Sequence, residues 1–349
     1  MTGSNPHRGV AGWLAFVYLS IFAMVVIGGI TRLTGSGLSM VEWKPLMGAL
    51  PPLDAAAWQA AFEKYQEFPQ YQQVNHWMEL EDFKRIFFWE YLHRLWGRSL
   101  GLIFALPFAY FGLRGRLQGI AGRCFVAFVL GGAQGVLGWY MVTSGLVDVP
   151  RVSHLRLASH LGLALVAGNY VLWQLLYVRS LGQPRSVGPA EQSAARGAWA
   201  LVGLTFLQVT YGAFMAGKHA GQLFKTFPTM NGSWFPASAL TGPDGVLASA
   251  LHNPVAIHAI HRTLAWAVAG AIAAYVWRHR HTPVDGAQRG ALGVLVWLVG
   301  IQIALGAATV MTSVSLPMAV AHQAGGALLL SATVYAAWAF TGTPRSSSA

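Results

Sequence analysis

The sequence predicts an all-α integral membrane protein, with eight transmembrane helices arranged as two pseudo-symmetric four-helix bundles related by a parallel internal repeat. Three observations predict it. Of 349 residues, 54% are hydrophobic and only 10% charged, whereas an ordinary soluble domain carries about 25% charged residues. Eight apolar runs approach the roughly 20 residues needed to cross a bilayer. The last four runs repeat chemical features of the first four at matching intervals.

The runs cover Ala11–Thr31, Phe88–Leu113, Cys124–Thr143, Val152–Val178, Ala195–Ala216, Val255–Trp277, Ala291–Thr312 and Met318–Phe340. The first is too long for a cleavable signal peptide, lacks a small-residue cleavage signature and leads straight into further spans. Arginines mark one side of the membrane. Arg114, Arg116 and Arg123 follow the second run, Arg179, Arg185 and Arg196 the fourth, and Arg278, Arg280 and Arg289 the sixth. Arg8 precedes the first run and Arg345 follows the last, so the positive-inside rule puts both termini in the cytoplasm. The net charge of +11 belongs to this topology and not to nucleic-acid binding. A single cysteine, Cys124, excludes an internal disulfide and an iron–sulfur site, which takes several thiolates. It is expected to pack as a small apolar residue.

The repeat divides the chain into halves, 1–190 and 191–349. "VVIGGITRLTGSG" near Val25 has a faint echo in "VTYGAFMAGKHAG" near Val209, and His93-Arg94 is matched by His261-Arg262. "GGAQGVLGWYMVTSGL" from Gly131 pairs with "VGIQIALGAATVMTSVSL" from Val299, and "ASHLGLAL" with "VAHQAGGALLL". Gln134 follows His93 by 41 residues, and Gln302 follows His261 by 41. The next interval, to His160 and His322, is 26 in the first half and 20 in the second, which fits a longer outer turn, "VDVPRVSHLR". Four spans per half give both halves the same orientation, a parallel repeat, and two four-helix bundles are the natural result. Two outer segments are long, about Arg32–Phe87 and Gly217–Pro254. The first contains "LDAAAWQAAFEKYQEF", expected as a surface helix, and the second the aromatic-rich "FPTMNGSWFP". Loops of this length read as covers over a bundle opening. Gly131, Gly132 and Gly135 allow close helix contact, within the chain or in a homo-oligomer.

Twelve histidines occur. His7, His279, His281, His76, His154, His219 and His252 fall in or near loops and are expected to be solvated. His93, His160, His261 and His322 each lie in the first turns of an even-numbered span, at comparable depth near the outer face. Ionisable groups inside spans mark function. Zinc takes three or four protein ligands, whereas haem iron needs only axial ones. Two imidazoles facing across each bundle therefore predict a haem site in each half. Arg94, Arg98 and Arg262 stand where haem propionates would turn to water, with interfacial snorkelling the competing reading for Arg98. Glu90 lies three residues before His93 on the same face, where His258 precedes His261. A carboxylate in one half suits proton handling; a salt bridge to Arg94 is the competing reading.

"GGITRLTGSGLSMVEWKPLMGALPPL", "EYLHRLWGR", "ASHLGL", "HAIHR" and "AHQAGG" together resemble haem A synthase, in the form shared by alphaproteobacteria and mitochondria, over essentially all eight spans. The resemblance implies a bacterial inner-membrane enzyme that oxidises the C8 methyl group of haem O to a formyl group. Successive hydroxylations would give an alcohol and then a hydrated aldehyde that loses water. It implies substrate haem in the first half, on His93 and His160 with Glu90, and a haem b cofactor in the second, on His261 and His322. Haem O synthase as supplier of haem O and an unnamed electron donor are implied as partners. Some bacterial members carry a cysteine pair in the first outer loop; this chain has none there. Two other classes fit part of the pattern: a dihaem b-type electron carrier exchanging electrons with quinone, which leaves Glu90 without a task, and a transporter with a histidine proton path, which lacks broken mid-membrane helices.

Overall fold

A computed structural model describes residues 7–41, 50–143, 150–182, 185–242, 245–283 and 285–342. Positions 42–49 of the first outer segment, 144–149 of the first half's outer turn, and Arg345 lie outside the described residues. The chain runs α1 (Arg8–Leu33), α2 (Ala55–Gln66), α3 (Leu80–Leu113), α4 (Ala121–Thr143), α5 (His154–Ser180), α6 (Pro189–Gly217), α7 (Gly245–His252), α8 (Pro254–His279), α9 (Gly286–Met311) and α10 (Leu316–Ala339). Six of these, α1, α4, α5, α6, α8 and α9, are long and apolar enough to cross a membrane. The chain is therefore a multi-pass helical membrane protein.

Local chemistry sets the helix ends. Asp54, Asn253 and Asp285 cap α2, α8 and α9 by accepting from Ala57 N, Val255 N and Gln288 N. Pro254 occupies the first turn of α8, where its missing N–H costs nothing. α3 starts at Leu80, eight residues before the predicted Phe88. Its first two turns carry Glu81, Asp82, Lys84 and Arg85, so an apolar-run criterion passes over them. A capping box between Glu79 and Asp82, with acidic residues at the positive end of the helix dipole, starts the helix there.

The long helices close into two rings. α1 packs on α3 and α5, and α4 on the same two helices; α6 packs on α8 and α10, and α9 on the same two. Val10, Leu14, Val17, Phe104 and Leu175 fill the first ring, and Ala198, Leu201, Ile272, Leu295 and Ala336 the second. Cys124 is buried in the first, as expected. The rings meet where α1 packs on α10, α5 on α6, and α5 on α10. Tyr18 Oη donates to Ser331 Oγ across that seam at 2.9 Å, and Gln323 Nε2 to Val25 O at 2.8 Å. α4 turns Phe125, Val129, Val136 and Trp139 outward, a surface that suits acyl chains and not water.

Both outer segments pack onto helix starts. α2 forms where the surface helix is expected, and Trp58, Phe62 and Tyr65 meet Phe83 and Phe87 of α3 in an aromatic cluster. Each such ring removed from water contributes roughly 1.5–3 kcal/mol. The second segment holds short turns at Ala220–Gln222 and Ala237–Ala239 and then α7. Met230 and Ala239 of this segment pack on Ala256 and Ala259 of α8.

Candidate functional site

Each ring of helices contains two of the four singled-out histidines. His93 stands on α3 and His160 on α5; His261 stands on α8 and His322 on α10. All four are half-buried. His261 and His322 face each other with ring centroids 6.3 Å apart and planes at 88°. Two metal–imidazole bonds of about 2.0 Å, plus about 1.1 Å from each ligating nitrogen to its ring centre, would separate two rings on one metal by roughly 6.2 Å. The buried Nδ1 atom of His160 has no hydrogen-bond partner, whereas the rings of His261 and His322 meet the main chain at Gln208 and Gln302. A buried polar atom left so costs about 1–3 kcal/mol, and one on an imidazole of the first ring fits a ligand from outside the polypeptide. Among the described residues no group of three or more His, Cys, Asp or Glu could hold a bare metal ion. A tetrapyrrole, which asks the protein only for axial donors, fits this donor set; zinc does not.

The neighbouring helices seat these rings through four glycines that the sequence alone did not single out, and through Gln134 and Gln302, which the repeat had aligned. A methyl group in place of the glycine hydrogen would stand 3.2 Å from His93 Nε2 at Gly28, and 3.1 Å from His160 Cε1 at Gly138. The same atom would stand 3.2 Å from His261 Cε1 at Gly212 and 3.0 Å from His322 Cε1 at Gly306. Gln134 Nε2 donates to His160 O at 2.8 Å, and Gln302 Nε2 to His322 O at 2.8 Å. The signal was present in the repeat: Gly138 follows Gln134 by four residues, as Gly306 follows Gln302.

Glu90 is 2% exposed. Its carboxylate accepts from Ser39 Oγ at 2.8 Å, Met40 N at 2.6 Å and Arg94 Nη2 at 2.6 Å. The salt bridge that competed with an acid–base role is thus present, and the same carboxylate anchors the loop after α1. His258, the matching residue, is fully buried. Its Nδ1–H donates to Ala220 O at 2.9 Å while its Nε2 accepts from Arg262 Nε at 2.9 Å, which fixes the neutral Nδ1–H tautomer.

Arg94 and Arg262 both reach the outer segments. Arg94 Nη2 donates to Met40 O at 2.8 Å. Arg262 donates to Thr226 O at 2.7 Å, Thr229 O at 3.2 Å and Phe224 O at 3.1 Å. Both therefore bind loop carbonyls. Two histidines expected to be solvated are buried instead. His154 bonds Leu251 O through Nε2 at 2.8 Å, and His279 packs against Tyr275 at 5.0 Å. Hydropathy places such residues near helix ends but does not show that a neighbouring element covers them.

Membrane-length helices with facing imidazoles between them define a class, multi-pass helical proteins built around paired histidines. Within it, the chain belongs to the cytochrome oxidase assembly protein family, which matches residues 11–334. It is 45% identical over 345 residues to a protein named haem A synthase from Caulobacter sp. strain K31, covering 96% of this chain and 97% of the relative. Proteins of the same name from Rhizorhabdus wittichii and Nitrosomonas eutropha are 44% identical over 337 residues and 41% over 338, each covering 95% of this chain and 94% of the relative.

Proposed function

We propose that this chain is a haem A synthase, which oxidises the C8 methyl group of haem O to a formyl group and so supplies haem A for cytochrome c oxidase. The observation that carries the reading is the facing of His261 and His322 at 6.3 Å, in a chain of this family. Residues 1–190 take haem O as substrate between His93 and His160. Residues 191–349 hold haem b between His261 and His322, and that group supplies one-electron redox chemistry when bound.

The eight-span, twofold-repeated architecture belongs to the same proposal. Its support is the recurrence of contacts: histidine on glycine four times, glutamine on histidine carbonyl twice, arginine on loop carbonyl twice. The even-numbered spans are α3, α5, α8 and α10, and they bring all four histidines to the periplasmic side of the inner membrane with both termini cytoplasmic.

The chain's own residues then divide the work. The four imidazoles bind and orient. Glu90, one turn from His93 and bonded by Ser39, Met40 and Arg94, is the base assigned to the first half. Arg94 and Arg262 fasten the outer loops over the bundle mouths, which limits access of water. Haem O synthase as supplier and a separate electron donor complete the reading.

Pigment extracted from protein made alongside a supply of haem O tests it. Haem b together with haem O or haem A is expected. Haem b alone, with haem O abundant, would assign the chain to electron carriage.

A further inference from the structure

We propose that Gly28, Gly138, Gly212 and Gly306 are positioning residues that set where the four imidazoles stand, and hence how each presents its nitrogen to the iron. This rests on the assignment of His93, His160, His261 and His322 as haem ligands and adds to it the surfaces that hold them.

At each of these glycines a side chain is excluded by the histidine ring of the adjacent helix, at 3.0–3.2 Å from the place a Cβ would occupy. Carbon atoms rest at about 3.5–4.0 Å, so a ring facing a methyl group there must retreat by roughly 0.3–0.5 Å. Metal–ligand distances hold to about 0.2 Å, so the retreat exceeds what the bond tolerates. On α4 and α9 the other glycines have no such contact, whereas Gly29 on α1 and Gly197 and Gly217 on α6 also face side chains of adjacent helices. Gly131, Gly132 and Gly135 on α4, and Gly293 and Gly300 on α9, would meet nothing within 4 Å. Glycine at 138 and 306 therefore answers to the ring and not to a general need for small residues on these helices.

A second contact fixes the same turn. Gln134 and Gln302, one helical turn before Gly138 and Gly306, bind the backbone carbonyls of His160 and His322. One turn of α4 or α9 thus holds the histidine's backbone and leaves room for its ring. Gly28 differs in one respect. The atom nearest to it is Nε2 of His93 itself, whereas the other three glycines face Cε1. A methyl group at position 28 would crowd a nitrogen directly.

The test uses the purified full-length protein with its bound haem. Gly212→Ala and Gly306→Ala are compared with Gly293→Ala and Gly300→Ala for haem-to-protein ratio and for the g-values of the low-spin ferric signal. The first pair is expected to bind haem at least about tenfold more weakly and to shift the g-values of what remains, with the second pair unchanged. A wild-type ratio and signal in Gly306→Ala would overturn the proposal. If Gly306→Ala accumulates poorly, Gly306→Ala/His322→Ala removes the ring that the methyl group meets. Recovery to the His322→Ala level supports the proposal, and a yield as low as that of Gly306→Ala alone overturns it. Wild-type protein with no low-spin signal would instead overturn the ligand assignment.

Discussion

Arg94 donates to the carbonyl of Met40 at 2.8 Å, tying α3 to a residue seven positions beyond Leu33, where α1 ends. Arg262 on α8 does the same to Phe224 at 3.1 Å, seven positions beyond Gly217, where α6 ends. In both halves a guanidinium next to a histidine therefore fastens the chain leaving the preceding long helix. Arginine suits the task because its planar fork reaches several carbonyls at once, which a lysine ammonium on a flexible stem does not.

Arg262→Lys is accordingly expected to loosen residues 224–229. Arg262 serves three loop carbonyls and His258, and a hydrogen bond to a charged group contributes about 1.5–3 kcal/mol. Loss of one or two such bonds predicts amide exchange in that stretch at least about tenfold faster, read by hydrogen–deuterium exchange. Exchange at the wild-type rate would show that the loop is held by its apolar packing on α8 alone.

Glu90 has two separable tasks, and two variants separate them. Glu90→Gln can still accept from Ser39 and Met40 but removes the charge facing Arg94. It is expected to retain haem while converting haem O at least about a hundredfold more slowly, the usual scale of a general base. Ser39→Ala removes one loop anchor and keeps the carboxylate, so conversion should stay within a few-fold of wild type. Conversion by Glu90→Gln at the wild-type rate would confine Glu90 to loop anchoring.

Those two sites mark where the sequence was legible. Each apolar run falls on a long helix, and six of these helices are long and apolar enough to cross a membrane, because lipid demands continuous hydrophobicity that a window can see. The runs missed the first two turns of α3, which are held by capping and charge. The histidines stood out because an ionisable group inside an apolar run is costly. The partners of Arg94 and Arg262 were hidden for a simple reason: they are main-chain carbonyls, and any residue carries one. The glycine seats were hidden differently. Among 40 glycines, only the facing ring distinguishes Gly306 from Gly300.

Acid is expected to weaken one tie across the two rings. Arg32 Nη2 donates to Ala216 O at 2.6 Å and contacts His219 Nε2 at 3.1 Å. An arginine only donates, so His219 accepts through a neutral ring. Partial burial, then Arg32 and Arg151, push the His219 pKa down to about 4 from its ordinary 6.5. Between those values the native state binds fewer protons than the unfolded one. Stability from this group is therefore present above pH 6.5 and declines as pH falls towards 4. His219 has φ 52°, a conformation asparagine also adopts, so His219→Asn is a fair comparison. In detergent solution wild type should lose more thermal stability than His219→Asn between pH 7 and pH 5. Equal losses would place the acid sensitivity elsewhere.

His261→Ala and His322→Ala decide the second site. With centroids 6.3 Å apart, neither ring can be replaced by its partner, because one imidazole supplies one axial bond. Each variant is expected to lose the low-spin haem b spectrum while the protein still accumulates. His258→Ala serves as the reference. It keeps both facing rings but breaks the link from Arg262 to Ala220, so its spectrum should persist. Retention of the spectrum in both His261→Ala and His322→Ala would remove haem from this bundle. Loss of it in His258→Ala as well would mean that the outer loop, and not the ligand pair alone, holds the haem in place.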